Sequence, residues 1–184
     1  MIDIMSKGLA DLLHRLPATE RRFAAGTHIF RQGTRVLTLH QIVDGRAHLV
    51  RHQPSGAPLV LQRAGPGSIL AEASVFSERY HCDAVAIVAT RTRAIAKPVL
   101  RAALVREADL AEAWAAYLAR EVQATRTRAE ILSLRTVAER LDSWAAANDG
   151  KLPAKGEWRS LAATIGTSPE ALYRELARRR TRRA

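Results

Sequence analysis

Cysteine is almost missing from this 184-residue chain: Cys82 stands alone. A single thiol forms no intramolecular disulfide and cannot by itself hold a zinc or iron–sulfur centre. No stretch approaches the 18 apolar residues of a membrane span, and Met1 to Leu16 lacks the apolar core and small-residue cleavage site of a secretory leader. A cytoplasmic protein with no membrane partner is therefore expected. Nucleophile elbow, P-loop and glycine-rich dinucleotide fingerprint are all absent, and paired acids such as Asp109 and Glu112 fall on a solvated helix face, so no enzyme is expected. Acidic side chains are scarce too: 18 Asp and Glu stand against 29 Lys and Arg, a net charge of +11. That excess suits a polyanionic partner.

The charge is concentrated at one end. From Lys151 to Ala184 there are nine basic residues and three acidic ones, so six of the eleven excess positive charges sit there. The densest run is Arg178-Arg179-Arg180-Thr181-Arg182-Arg183, whose guanidiniums repel one another unless spread along phosphates; the alternative is a solvated tail.

Organisation follows from periodicity. Leu9, Leu12, Leu13 and Leu16 recur at helical spacing until Pro17 stops the pattern. Short alternating segments then appear between Gly and Pro punctuation at Gly26, Gly33, Asp44-Gly45, Pro54-Ser-Gly56 and Gly65-Pro-Gly67. Val36 to Val43 and Arg46 to His52 flank Asp44-Gly45, which reads as a type I′ hairpin turn with positive φ at both residues. Leu59 to Gln62 and Ala84 to Ala89 add strands, giving a β sandwich or roll over the first hundred residues.

Pro98 suits a first helical turn, and from Val99 to about Ala147 the chain is rich in Ala, Leu, Arg and Glu with no internal Gly or Pro, which predicts helix. Trp114, Leu118, Val122, Thr125, Ala129 and Leu132 form a narrow stripe at steps of three and four, suited to a partner helix and hence to a homodimer, or else to the chain's own β domain. Asn148-Asp-Gly150 ends that run. Trp158 to Ile165 reads as a short helix, Gly166-Thr167-Ser168 as a break, and Pro169 to about Arg179 as a second helix with Ser168 as N-cap. Helix, glycine-containing turn, helix is the helix-turn-helix signature, although a generic helical hairpin shares it. Leu161, Ala162, Ile165, Leu172 and Leu176 supply its inner contacts, leaving Glu170, Tyr173, Arg174 and Arg178 outward as DNA-reading candidates beside Ser168.

In this order of parts the chain resembles the superfamily of the cyclic-AMP receptor protein and FNR regulators (Crp/Fnr). The resemblance rests on Phe30-Arg-Gln-Gly33, Ile42-Val-Asp-Gly45, Ala71-Glu72 followed by Val75-Phe76, the stripe after Pro98, and Leu161 to Leu176. It implies an α+β chain with an N-terminal β-roll of jelly-roll, cyclic-nucleotide-binding type (1–107), a long dimerisation helix (108–134), and a C-terminal helix-turn-helix domain with a basic tail (135–184). It further implies a homodimeric, sequence-specific DNA-binding transcription regulator whose partners are double-stranded DNA, a second copy of the chain and RNA polymerase. A dimerising interaction module without operator binding is the alternative. Glu170-Ala-Leu-Tyr173-Arg174 is similar to the family's Glu-x-x-Ser-Arg pattern, with Arg174 placed to bond guanine and Glu170 cytosine, each for roughly 1–3 kcal/mol of discrimination. Relatives continue into a wing. Here the sequence stops soon after the second helix, so the arginine run is expected to take over its phosphate contacts.

The effector site departs from the family. Cyclic-nucleotide binders use a Gly-Glu pair and a following Arg-Ser pair; the matching positions here are Ala71-Glu72 and Cys82-Asp83. A methyl replaces bare backbone, the cation is gone, and Asp83 is expected beside the phosphate, where repulsion approaches about 4 kcal/mol at 4 Å. Cyclic nucleotide binding is therefore not expected. Strand alternation across Tyr80 to Asp83 would pair His81 with Asp83 in a structural hydrogen bond and bury Cys82 as a small hydrophobe. His48 and His52 share a strand face. No metal or cofactor is expected, haem or a metal at His81 and Cys82 being the alternative.

Overall fold

The chain, as a computed structural model, is described over residues 2–52 and 58–181; the Pro54-Ser-Gly56 turn, Arg182 and Arg183 lie outside the described residues. Helix α1 (Ile2–His14) precedes eight described strands arranged as two antiparallel four-stranded sheets. One sheet has the order β1 (Ala18–Phe23), β8 (Thr90–Ala96), β3 (Thr38–Asp44), β6 (Ile69–Leu70); the other has β2 (His28–Phe30), β7 (Asp83–Ala86), β4 (Ala47–His52), β5 (Pro58–Ala64). Their apolar faces, Leu39, Ile42 and Ile95 from the first and Phe30, Leu49 and Ala84 from the second, share one core, the β-roll expected from the alternating segments. Leu9 and Leu13 of α1 complete it. Arg93 donates to the carbonyls of Leu13, His14 and Leu16 at 3.1–3.2 Å, satisfying the open end of α1.

Asp44-Gly45 is not a hairpin turn. Strand β3 bonds to β6 and β8 while β4 bonds to β5 and β7, so the chain there passes from one sheet to the other. Of the two residues only Gly45 has positive φ, at 90°. A Cβ on Gly45 would lie 2.6 Å from Thr90 Oγ1 and 2.7 Å from Thr90 Cα and would strike the Ala89 carbonyl oxygen. Thr90 Oγ1 meanwhile accepts from Arg46 N at 3.2 Å and donates to Arg46 O at 3.0 Å. Close backbone approach to the turn after β7 selects glycine here, not the twist of a hairpin.

The helical half is broken where the sequence gives no Gly or Pro. Helix α2 (Lys97–Arg106) ends at Glu107, whose backbone is extended; α3 (Ala108–Ser133) follows, and then α4 (Val137–Ala146). The second break has a local cause: Thr136 Oγ1 accepts from Glu139 N at 3.2 Å and Glu139 Oε2 accepts from Thr136 N at 2.9 Å, a capping box. Helices α5 (Trp158–Thr164) and α6 (Pro169–Thr181) close the described chain. The residues sort into two compact units, one ending at Leu118 and the other beginning at Ala119. The second has its own core of Ile131, Leu141, Leu161, Ala162, Ile165, Leu172 and Leu176. Among the described residues no helix is long and apolar enough to cross a membrane.

Candidate nucleic-acid interface and effector pocket

Helix α6 begins as the sequence predicts. Ser168 Oγ accepts from Ala171 N at 3.2 Å, capping the helix, with Pro169 in the first turn, where the missing N–H has no helical acceptor. The turn before it is fixed by Gly166, at φ 66°; a Cβ there would lie 2.5 Å from Leu132 Cδ2 and 3.3 Å from Arg140 Nη1. Arg140 grips the same turn, donating to Gly166 O at 2.7 Å and Ile165 O at 3.3 Å, and reaches Leu134 O at 2.8 Å and Leu132 O at 3.3 Å. One guanidinium thus ties the end of α3 to the turn, a role no local sequence pattern announces.

With Leu172 and Leu176 buried, Glu170, Tyr173 and Arg174 are exposed together on α6. Glu170's own backbone N–H, followed by the Ser168 hydroxyl, holds its carboxyl below the usual range, and Arg159 and Arg174 add to this. It is therefore an ionised acceptor at neutral pH. Arg174 has no hydrogen-bond or ion-pair partner among the described residues and can extend outward as a two-pronged donor. The Tyr173 ring lies 5.7 Å from that of Trp158. The arginine run is less free than its sequence implies. Arg178 meets Glu175 Oε2 at 2.6 Å, and Arg179 is held by Glu175 Oε1 at 2.8 Å, Asp142 Oδ1 at 2.5 Å and Ala138 O at 3.0 Å.

Of the stripe on α3, Trp114 is 3% exposed inside the roll core and Leu118 packs against that core, so the head of the expected seam is covered by the chain's own β domain. Val122, Thr125, Ala129 and Leu132 stay exposed, Val122 by 48% and Leu132 by 40%.

At the effector position Ala71 is buried with φ 74° and ψ 16°, the left-handed backbone that glycine normally supplies, and it leads into a 3₁₀ turn at Glu72–Ser74. The expected bond between His81 and Asp83 is not made. Strand β7 begins only at Asp83, so alternation does not apply to Tyr80–Cys82. His81, exposed, shares a hydrogen bond with Ser74 Oγ at 3.0 Å, and its backbone carbonyl accepts from Arg51 at 2.9 Å.

Asp83 also does not point into the core of the roll with Cys82. Its neighbours Cys82 and Ala84 belong to the core, whereas Asp83 is on the outer sheet face with His28, His48 and His52. There Oδ1 accepts from Gln32 N at 2.7 Å, and Oδ2 stands 3.8 Å from His28 Nε2 and 3.4 Å from His52 Nδ1. Cys82 is buried as expected, and burial, with Glu72 nearby, pushes its thiol up to about 11, so it offers no thiolate to a metal or haem near neutral pH. Among the described residues no group of three or more His, Cys, Asp and Glu side chains is placed to hold a metal ion. Inside, Tyr80 stacks on Phe30 with ring centres 4.0 Å apart and donates to Thr38 O at 2.8 Å. His40 is buried beside them; burial, then the charge of Arg21, lowers its pKa to about 4.

Residues 20–107 match the cyclic nucleotide-binding domain. A search of curated protein sequences returns no match. FixK2 from Bradyrhizobium japonicum superposes over 91% of this chain and 86% of its own with TM-score 0.71 and 21% identity. The c-di-GMP-responsive global regulator CLP of Xanthomonas campestris does so over 96% and 92%, with TM-score 0.65 and 19% identity. TTHB099, a CRP-family transcriptional regulator from Thermus thermophilus, covers 88% and 85% with TM-score 0.60 and 18% identity. Residues 20–107 are thus similar to a cyclic nucleotide-binding domain, and the chain has the fold seen in solved Crp/Fnr transcriptional regulators.

Proposed function

We propose that this protein is a cytoplasmic, non-catalytic transcription regulator that binds double-stranded DNA as a homodimer, α6 of each subunit entering a major groove. The observation that carries this reading is the exposed face of α6, where an ionised Glu170 and an Arg174 with no hydrogen-bond or ion-pair partner among the described residues stand four residues apart beyond a capped N-terminus. Arg174 supplies the two parallel donors that guanine O6 and N7 accept, and Glu170 the acceptor for cytosine N4. Tyr173 lies on the same face and Ser168 at its edge; Arg178, tied to Glu175, contributes to the phosphate field. Pairing of two chains is supported by the exposed part of the stripe, Val122, Thr125, Ala129 and Leu132. In the family pattern such a dimer meets RNA polymerase at its promoter.

The β-roll, in this reading, does not take a cyclic nucleotide. Cys82 leaves the phosphate without its cation, and the Ala71 methyl occupies backbone space that a ligand would approach. The outward turn of Asp83 means that the missing cation, not repulsion, carries the exclusion. Two measurements test the proposal. Gel shifts against promoter fragments in excess competitor DNA should show binding that Arg174→Ala abolishes, and sedimentation should show a dimer that Val122→Glu dissociates. Binding that disappears under competition in the unmodified protein would favour the interaction module instead. A monomer in sedimentation would overturn the dimer.

A further inference from the structure

Residues 34–37 run antiparallel to residues 78–80. Val36 N donates to Glu78 O at 2.8 Å, Tyr80 N donates to Thr34 O at 3.0 Å, and an isolated bridge places Arg35 directly opposite Arg79. Like charges in that register repel. Arg79 donates one N–H to Gly33 O at 2.7 Å, yet neither arginine has a carboxylate partner among the described residues. Lys97 and Arg101, one turn apart at the start of α2, border the same cavity, whose volume is about 640 Å³. Lys97 Nζ donates to Ser77 O at 2.5 Å, and the Arg101 guanidinium lies 5.0 Å from the centre of the Phe76 ring. Among the described residues they too lack a carboxylate, and Glu78 is the one acid in the lining, leaving an excess of three positive charges there.

The wall of the cavity is amphiphilic. Leu37 and Pro98 line it, Leu37 is 61% exposed, and Phe76, under Arg101, is 64% exposed. The first turn of α2 also faces this region without a side-chain cap at Ala96, which adds the positive end of a ten-residue helix. Solvation alone would let four cations move apart, but the bridge holds two of them side by side.

We propose that this cavity binds a small molecule bearing a dianionic phosphate group on an apolar body. A dianion relieves the Arg35–Arg79 repulsion while accepting from two guanidinium forks, which a monocarboxylate does less completely. The volume suits a ligand of metabolite size, and the exposed apolar side chains offer a surface for its body. The site uses neither the interior of the roll nor α6, so it stands or falls separately from the DNA-binding proposal.

Calorimetric titration of the full chain with phenyl phosphate, inorganic phosphate, phenol and sodium chloride at matched ionic strength tests it. Phenyl phosphate should bind saturably at one site per chain, more tightly than inorganic phosphate, with no binding of phenol. Arg35→Gln combined with Arg101→Gln should weaken that binding roughly tenfold or more, leaving melting temperature and DNA binding unchanged, and Arg174→Gln should leave it intact. Any of four results overturns the proposal: equal binding by the double variant, loss in Arg174→Gln, heat reproduced by sodium chloride, or no saturable binding.

Discussion

Neighbouring arginines at the end of α6 are expected to do opposite things. Arg179 lies 31% exposed between Glu175, which is 9% exposed, and Asp142, and also donates to the carbonyl of Ala138 on α4. Arg179→Ala removes three donated bonds and leaves Arg178 as the sole cation on a buried carboxylate. Breaking a fully buried pair costs several kcal/mol; partial exposure reduces this to about 2 kcal/mol. In a unit of this size that lowers the melting temperature by roughly 8–16 °C. Because Arg179 is turned into the fold, the salt dependence of DNA binding should not change.

Arg180 is exposed, with no partner among the described residues. Arg180→Ala should leave the melt alone and reduce the log–log salt slope by about 0.9 for each phosphate it no longer neutralises. Circular-dichroism melts and fluorescence anisotropy over a salt series read both quantities on the same samples. If Arg179→Ala melts like the unmodified protein while its salt slope falls, Arg179 is a phosphate ligand and the clamp reading is wrong.

Two further outcomes follow from the roll. His40, with a folded pKa near 4 against 6.5 when unfolded, takes up a proton more readily in the unfolded chain. Its contribution is therefore present above pH 6.5 and is lost as pH falls towards 4, reaching about 3 kcal/mol in full and roughly 1.4 kcal/mol at pH 5.5. Urea midpoints at pH 7.5 and pH 5 should show this loss in the unmodified protein and a smaller one in His40→Gln; equal slopes in the two would refute it. Ala71→Gly releases left-handed strain of about 1 kcal/mol and forfeits a buried methyl worth about 0.8 kcal/mol, so unfolding free energy should stay nearly constant. Calorimetry should find no cyclic-AMP binding in that variant, since Cys82 still supplies no cation, and a loss above about 2 kcal/mol in the melt would mean that the methyl's packing dominates.

Legibility of the fold varied with the range of the interactions concerned. The helix-turn-helix was readable because its signals are local: Ser168 and Pro169 start α6, Gly166 breaks the chain before it, and Leu161 to Leu176 repeat at helical spacing. The β-roll was readable from alternation, and the burial of Cys82 from its residue type. Asp44-Gly45 misleads because hairpin grammar is local, whereas the partners of β3 and β4 are distant strands. The pairing of His81 with Asp83 fails because alternation does not extend to residues before β7 begins. The Thr136–Glu139 capping box is present in the residues as Thr-x-x-Glu and marks a helix start that uniform helix-forming composition hides.

The sequence alone determined the opening helix, the β character of the first hundred residues, the helical character of the rest, where the positive charge is concentrated, and which side chains of α6 can face outward, since periodicity, caps and charge act over a few residues; it left β1, β2, β6, β8 and the breaks between α2, α3 and α4 unread. Only the tertiary structure decided that Trp114 is enclosed by its own domain, that Asp83 faces away from the roll, that Arg179 is a clamp, and that Arg35 and Arg79 stand opposite each other. Each of these depends on a contact with a residue far along the chain, or on which face of a sheet a side chain takes, and no local pattern encodes either.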